Sequence, residues 1–323
     1  MLPTGLRSPD SRMMIGFVET AVRADQPWRT RGRSGGIGHV PAQIGGSSAC
    51  LDQVKYLEGR HYIYTKGQAH MTRTIAVVNH KGGSTKTTST VNLAQALVEA
   101  GYTVRVIDLD PQCNATTWLG ATPEAVDNDV LSVLMLVASI EDATTITASG
   151  IHLVPATKEL DSVGPYFLKK PGAHGILRKA LASAPEVDFN LLDCPGDFDH
   201  LTISALVACT EVLAAVMTGA MELEALMRIE NYITQQVELL NPTARLNHIL
   251  CGRVELGQVI DQQVLAALRE TYAEQTMRTI IPKSVRVSES YSAEEPVVRW
   301  APSSSAARAY RDAAQELVER DPR

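Results

Sequence analysis

Residues 79–89 read NHKGGSTKTTS and follow the apolar, β-branched run TIAVV at 74–78. A short hydrophobic strand, a glycine turn, a Lys-Thr pair and a helix-like run over 87–100 place backbone N–H groups and a helix N-terminus around a phosphate chain. A Gly-Gly followed by Lys-Thr is often only a turn into a helix. Here the strand before, the helix after and two strand-terminal aspartates downstream favour a nucleotide site.

Working outward, Gly101 reads as a helix C-cap and TVRVID at 103–108 as a second strand. Strand and helix patterns then alternate. Helices are expected over 130–138, 173–184, 201–209, 222–240, 260–274 and 304–320, and strands over 151–155, 189–193, 211–217, 246–251 and 278–281. Strands separated by helical segments imply right-handed crossovers. The fold class expected is α/β: a three-layer P-loop NTPase fold with a mainly parallel twisted sheet and helices on both faces.

The 323 residues allow one large domain plus an extension, and 45% hydrophobic with 20% charged residues is ordinary for a globular chain. No apolar run approaches the roughly 18 uncharged residues of a membrane span, and a signal peptide's order of basic, apolar and small residues is absent. A cytoplasmic location is expected. Cys50, Cys113, Cys194, Cys209 and Cys251 are odd in number and scattered, so neither a disulfide framework nor a zinc site is indicated. The eight histidines show no ligand spacing.

The net charge of −6 conceals a split: residues 1–70 carry 9 basic and 5 acidic side chains, leaving 21 basic and 31 acidic beyond them. Residues 1–70 show no sustained period, and 32–48 has the composition of a loop. The organisation expected is a poorly structured extension over 1–70 and one domain over 71–323. One reading starts the natural product at Met71. Its rival is an arm whose Arg23, Arg29, Arg31 and Arg33 touch a polyanion, and the bland reading of an unstructured or artefactual tail is favoured over it.

In a P-loop the lysine after the glycine turn reaches the β- and γ-phosphates and the next hydroxyl binds magnesium. Lys86 and Thr87 fit those roles. The plain GxxxxGK[ST] spacing fails, because His80 and Thr85 stand where its glycines belong, and a second lysine, Lys81, lies five residues before Lys86.

KGGSTKTT at 81–88 resembles the deviant Walker A motif of the ParA and MinD group of partitioning ATPases. The run 91–120, with DLDPQCNAT, is similar to the group's second strand and first switch, and LLDCPG at 191–196 to its Walker B strand and second switch. The segment from Ile281-Pro282 onward is similar to its closing segment. The resemblance implies ATP and Mg2+ as cofactors, held by Lys81, Gly82, Gly83, Ser84, Thr85, Lys86, Thr87 and Thr88. Pro282 would lie near the base, Thr87 and Asp193 would serve the metal, and Asp110 would orient the attacking water. Lys81 would reach the partner's phosphates in an ATP-bound homodimer. The implied partners are a ParB-like centromere-binding protein and nonspecific DNA, without a membrane, and the DNA candidates are Arg278, Lys283, Arg286, Arg299, Arg308 and Arg311.

Several residues depart from that pattern. Thr85 replaces a glycine, at a cost if the position needs positive φ and with little if φ is negative. Cys194-Pro195-Gly196-Asp197 replaces the usual Thr-Pro-Pro, Asp197 and Asp199 add charge near the switch, and Thr218 stands where proline often occurs. The alternatives are therefore a nucleotide-binding regulator with little hydrolysis and a MinD-like membrane-positioning ATPase. The second needs a basic, bulky amphipathic C-terminal helix that this sequence does not provide. Asp108 is read as structural, and Cys113 and Cys194 as buried fillers.

Overall fold

The computed structural model describes residues 54–57, 60–63, 71–79, 85–219 and 221–320. Contacts divide the chain into two units, Met1–Gly67 and Gln68–Arg323. In the first, β1 (Val54–Leu57) pairs antiparallel with β2 (Arg60–Ile63), Val54 opposite Ile63. The sequence reading expected little packed structure in 1–70 and missed this hairpin. Four-residue strands carry too few side chains to show a period. Arg23, Arg29, Arg31, Arg33 and Cys50 lie outside the described residues.

The second unit runs β3 (Arg73–Val78), α1 (Lys86–Glu99), β4 (Val104–Asp108), α2 (Asn114–Trp118), α3 (Val130–Leu134), β5 (Thr145–Ile146), β6 (His152–Val154), α4 (Gly164–Lys169), α5 (Ile176–Ala182), β7 (Phe189–Asp193) and α6 (His200–Ala208). It continues with β8 (Glu211–Met217), α7 (Glu222–Tyr232), a π-turn at Ile233–Val237, β9 (Leu246–Val254), α8 (Val259–Thr271), β10 (Thr276–Pro282), α9 (Val285–Ser292), α10 (Val297–Trp300) and α11 (Ser305–Glu319). The strand order is β10-β9-β8-β3-β7-β4-β6-β5. All neighbours are parallel except β5 against β6.

Three layers follow from the two-residue period of β3, which is apolar from Ile75 to Val78 because both of its faces are covered there. Ile75 and Val77 face a core shared with Leu93, Leu97, Tyr310 and Leu317 of α1 and α11. Ala76 and Val78 face the other, with Leu201, Leu206, Leu226 and Leu268 of α6, α7 and α8. Helix α1 ends as expected at Gly101, whose φ of 98° allows Tyr102 N–H to reach the Leu97 carbonyl at 3.1 Å.

Helix α3 is shorter than the 130–138 expected. Leu136 takes the left-handed cap at φ 62°, and Val137 N–H closes on the Ser132 carbonyl at 2.9 Å. No glycine marked the stop. The 222–240 helix becomes α7 plus the π-turn, and α2, α4, α9, α10 and β5 were not anticipated. These pieces are eight residues or shorter, where periodicity carries little information.

At the N-terminal edge of the sheet, fully buried Glu211 accepts from Arg73 Nε and His248 Nε2, each at 2.7 Å. Arg73 Nη1 also donates to the Leu317 carbonyl at 2.8 Å, so β3, β8, β9 and α11 are tied at one point. Burial pushes the Glu211 carboxyl up, but the Arg73 and His248 hydrogen bonds outweigh it and hold the group below its ordinary value.

Candidate functional site

The opposite, C-terminal edge gathers the strand-end carboxylates. β4 ends on Asp108 and β7 on Asp193, the register sets them side by side, and Leu109 N–H bonds the Asp193 carbonyl at 2.9 Å. Open α/β sheets bind ligands at this edge. Thr85 has φ −84° and ψ 15°, and α1 begins on buried Lys86. Thr87 Oγ1 donates to Asp193 Oδ2 at 2.8 Å, and Thr90 Oγ1, one turn on, to Asp193 Oδ1 at 3.0 Å.

Asp108 accepts from Thr116 N–H at 2.8 Å, Thr116 Oγ1 at 2.7 Å and Asp110 N–H at 3.0 Å, a structural part that matches the sequence reading. Asp110 Oδ1 in turn accepts Gln112 N–H at 2.9 Å. The carboxylate of Asp110 thus projects from a turn fixed by Asp108 and closed by Cys113, which takes φ 56°. An open cleft of about 480 Å³ lies above, lined by Lys86, Thr87, Thr88, Asp110, Asp197 and Asp199 together with Asn114, Trp118, Asp161 and Tyr291.

Burial lifts Asp193 to about 8, with Asp108 and Asp110 adding repulsion against the Thr87 and Thr90 hydrogen bonds. Asp108 is lifted by burial to about 6, less far because Thr116 bonds it twice. Asp110 is also raised: burial leads, the Gln112 N–H and Lys86 oppose it, and Asp199 and Asp197 add to it. These carboxyls are short of positive charge, which a divalent cation beside Asp193 would supply; among the described residues no three acidic, histidine or cysteine side chains are placed to hold a metal by themselves. The thiols of Cys113 and Cys194 are buried and raised, Cys113 to about 12, so they are fillers and not nucleophiles.

The threonine that replaces a glycine is accommodated twice over. Its φ is negative, and its side chain lies against Gly252 of β9, where an added Cβ would stand 2.7 Å from Thr85 Cγ2. Gly252→Ala is therefore expected to destabilise the domain by about 1–3 kcal/mol through overpacking. Denaturant titration of Thr85→Gly, Gly252→Ala and the double variant checks it. The double variant should recover most of the loss, and strictly additive effects would count against the contact.

Of the site residues named from sequence, Thr85, Lys86, Thr87, Thr88, Asp110 and Asp193 converge at this edge. Lys81, Gly82, Gly83 and Ser84 lie outside the described residues. Pro282 ends β10 beside Val254, three strands from β3, and is not among the cleft-lining residues. The closing segment reaches the cleft through Tyr291, whose ring packs edge-on to Trp118 at 5.1 Å and whose hydroxyl bonds Asn114 Oδ1 at 3.2 Å. Sequence reasoning did not single out Asn114, Trp118, Asp161 or Tyr291. Trp118 and Asn114 sit in the switch-like run already quoted and Tyr291 in the closing segment, while Asp161 arrives only through the fold.

Residues 72–246 match the family model described as an AAA domain. The chain is 36% identical over 248 residues to the chromosome-partitioning ATPase Soj of Thermus thermophilus, covering 77% of this chain and 96% of that protein. It belongs to the ParA and MinD family of P-loop ATPases. Among solved structures, cobyrinic acid a,c-diamide synthase of Mycobacterium smegmatis, with bound ATP analogue and magnesium, superposes at TM-score 0.67 and 27% identity. That match covers 77% of this chain and 95% of that one. The septum site-determining protein MinD of Pyrococcus horikoshii, complexed with Mg-ADP, shares the fold at TM-score 0.64 and 24% identity over 76% of this chain and 96% of that one. For this ParA/MinD-family chain the mostly parallel, helix-covered sheet is thus the fold that its solved neighbours share.

Proposed function

We propose that the chain is an ATP-dependent dimerisation switch that hydrolyses ATP to ADP and phosphate in positioning DNA cargo, with residues 71–323 as the ATPase domain. The observation that carries this reading is the convergence of Lys86, Thr87, Asp110 and Asp193 on one edge of the sheet. Thr87 and Asp193 would hold Mg2+, which supplies charge neutralisation at the phosphates. Lys86, at the start of α1, neutralises the β- and γ-phosphates together with the helix N-terminus. Asp110 orients the attacking water. Lys81 would complete the partner's site, so bound ATP holds two copies together and its cleavage releases them.

Dimerisation is the decisive test. Light scattering with Mg·ATP and Asp110→Ala, which slows cleavage, should give a dimer, and the Lys81→Ala, Asp110→Ala double variant should bind nucleotide as a monomer. A wild type that binds Mg·ATP and stays monomeric at high concentration sinks the reading.

The electrostatics give a second expectation. Asp193 has a folded-state value near 8 against an ordinary 3.8. Without a cation the folded chain holds a proton between about pH 4 and 8 that the unfolded chain lacks, so stability declines as pH rises through that window. Binding Mg·ATP at pH 7 should expel about one proton. Calorimetry in two buffers of different ionisation enthalpy measures it, and buffer-independent heats would contradict it.

Nonspecific DNA and a ParB-like centromere-binding protein are the partners this reading carries. Of the six cations named for DNA, Arg278 pairs with Glu319, Lys283 with Glu255, Arg286 with Glu289, Arg299 with Glu295 and Arg311 with Glu99. Arg308 donates to the Ser303 carbonyl. DNA retention that depends on Arg308 therefore requires the fewest ion pairs to open. A membrane-positioning role is disfavoured because the apolar face of α11, from Ala306 to Leu317, is buried against the domain, and no described helix is long and apolar enough to cross a membrane.

A further inference from the structure

The segment 194–199 joins β7 to α6 and carries two of the cleft's carboxylates, Asp197 and Asp199. Most of its anchors are local. Cys194 N–H bonds the Val77 carbonyl at 3.3 Å, Thr202 Oγ1 bonds the Asp197 carbonyl at 2.7 Å, and the Asp199 carboxylate caps α6 through Leu201 N–H at 3.0 Å. One anchor comes from α7. Tyr232 donates its hydroxyl to the Phe198 carbonyl at 2.8 Å, and the two rings pack with centroids 4.5 Å apart. Phe198 lies between the two cleft aspartates, so this bond sets the backbone on which both are carried.

The rest of α7 makes the anchor stiff. The π-turn begins at the next residue, Ile233, where Glu238 N–H reaches back five residues at 3.0 Å. Beyond it, Asn241 Nδ2 donates to the Leu206 and Cys209 carbonyls at 2.8 and 2.9 Å. The α7 segment therefore grips α6 at both ends, at Phe198 before its first turn and at Cys209 after its last. A π-turn changes the rise and rotation between two fixed points, which lets one helix satisfy both, and π-turns recur at functional sites.

We propose that Tyr232 is a positioning residue for hydrolysis, acting through the Phe198 carbonyl to fix Asp197 and Asp199 beside Asp110, and that the π-turn sets its reach. The proposal rests on the ATPase reading and adds to it a residue outside the motifs. Asp197 and Asp199 repel the charge on Asp110, so a loosened 196–199 segment alters both the water-orienting carboxylate and the space above it.

Tyr232→Phe keeps the ring packing and removes only the hydroxyl. Steady-state hydrolysis should show kcat lowered about tenfold, a loss of the size that misplaced catalytic groups produce, with Kd for Mg·ATP unchanged within about twofold. Hydrogen exchange at the 196–199 amides should accelerate in the same variant. Tyr272→Phe is the control, because it removes a comparable bond from Tyr272 to Glu230 Oε2 at 2.8 Å on the far side of α7, and its kcat and exchange should match wild type. Unchanged 196–199 exchange in Tyr232→Phe overturns the proposal whether or not the wild type is active. So does a kcat equal to that of Tyr272→Phe. Wild-type hydrolysis no greater than that of Lys86→Ala would instead overturn the ATPase reading.

Discussion

Asp110→Ala is expected to bind Mg·ATP and to hydrolyse it about 10²–10⁴-fold more slowly than wild type, the range for loss of a positioned carboxylate. Binding survives because Lys86 and the Thr87–Asp193 hydrogen bond are untouched. The turn loses the Gln112 N–H bond to Asp110 Oδ1 but keeps its two backbone anchors, Asp110 N–H on Asp108 and Cys113 N–H on the Asp110 carbonyl. Lys86→Ala should do the reverse and lose nucleotide affinity. Single-turnover phosphate release beside equilibrium binding separates the two, and an Asp110→Ala variant that turns over normally refutes the assigned role. The pH dependence has a definite sign. Burial raises the Asp110 value, so its charge, and with it the rate, is lost on acidification earlier than for an ordinary aspartate.

Glu211→Ala is the substitution with the largest expected effect on stability, about 3–5 kcal/mol, because it strands Arg73 and His248 against the sheet edge without their carboxylate. At roughly 2–4 °C per kcal/mol for a domain of this size, the shift in melting temperature is well resolved. The stabilisation from Glu211 has its own sign. Its folded-state value lies below the ordinary 4.5, so the contribution is complete above the ordinary glutamate range and disappears as pH falls through the lowered value. Chemical denaturation at neutral pH giving a loss under about 1 kcal/mol would show the triad to be replaceable. Nucleotide affinity should change little, since the triad lies at the edge opposite the cleft.

Much of the architecture is written locally. The β-branched run before the glycine turn, the glycine after α1 and the two strand-terminal aspartates each carry their structure in a few neighbouring residues, because period, capping and strand burial are local properties. Local patterns were weakest where helices are short or end without glycine, as at Leu136, and where a residue's cost depends on its neighbour. Thr85 reads as a defect until Gly252 is placed against it.

The sequence by itself determined the alternating α/β order and the parallel sheet, because strand and helix periods are local, and its family resemblance named Lys86, Thr87, Asp110 and Asp193 as the candidate site. Only the tertiary structure decided that Gly252 makes room for Thr85, that Tyr291 packs on Trp118 at the cleft, that Tyr232 holds the Phe198 carbonyl, and that the proposed DNA-contacting arginines and lysine are mostly paired with carboxylates. Each of those relations joins residues far apart in the chain. They depend on which strands and helices become neighbours, and the backbone fixes that only once both faces of the sheet are covered.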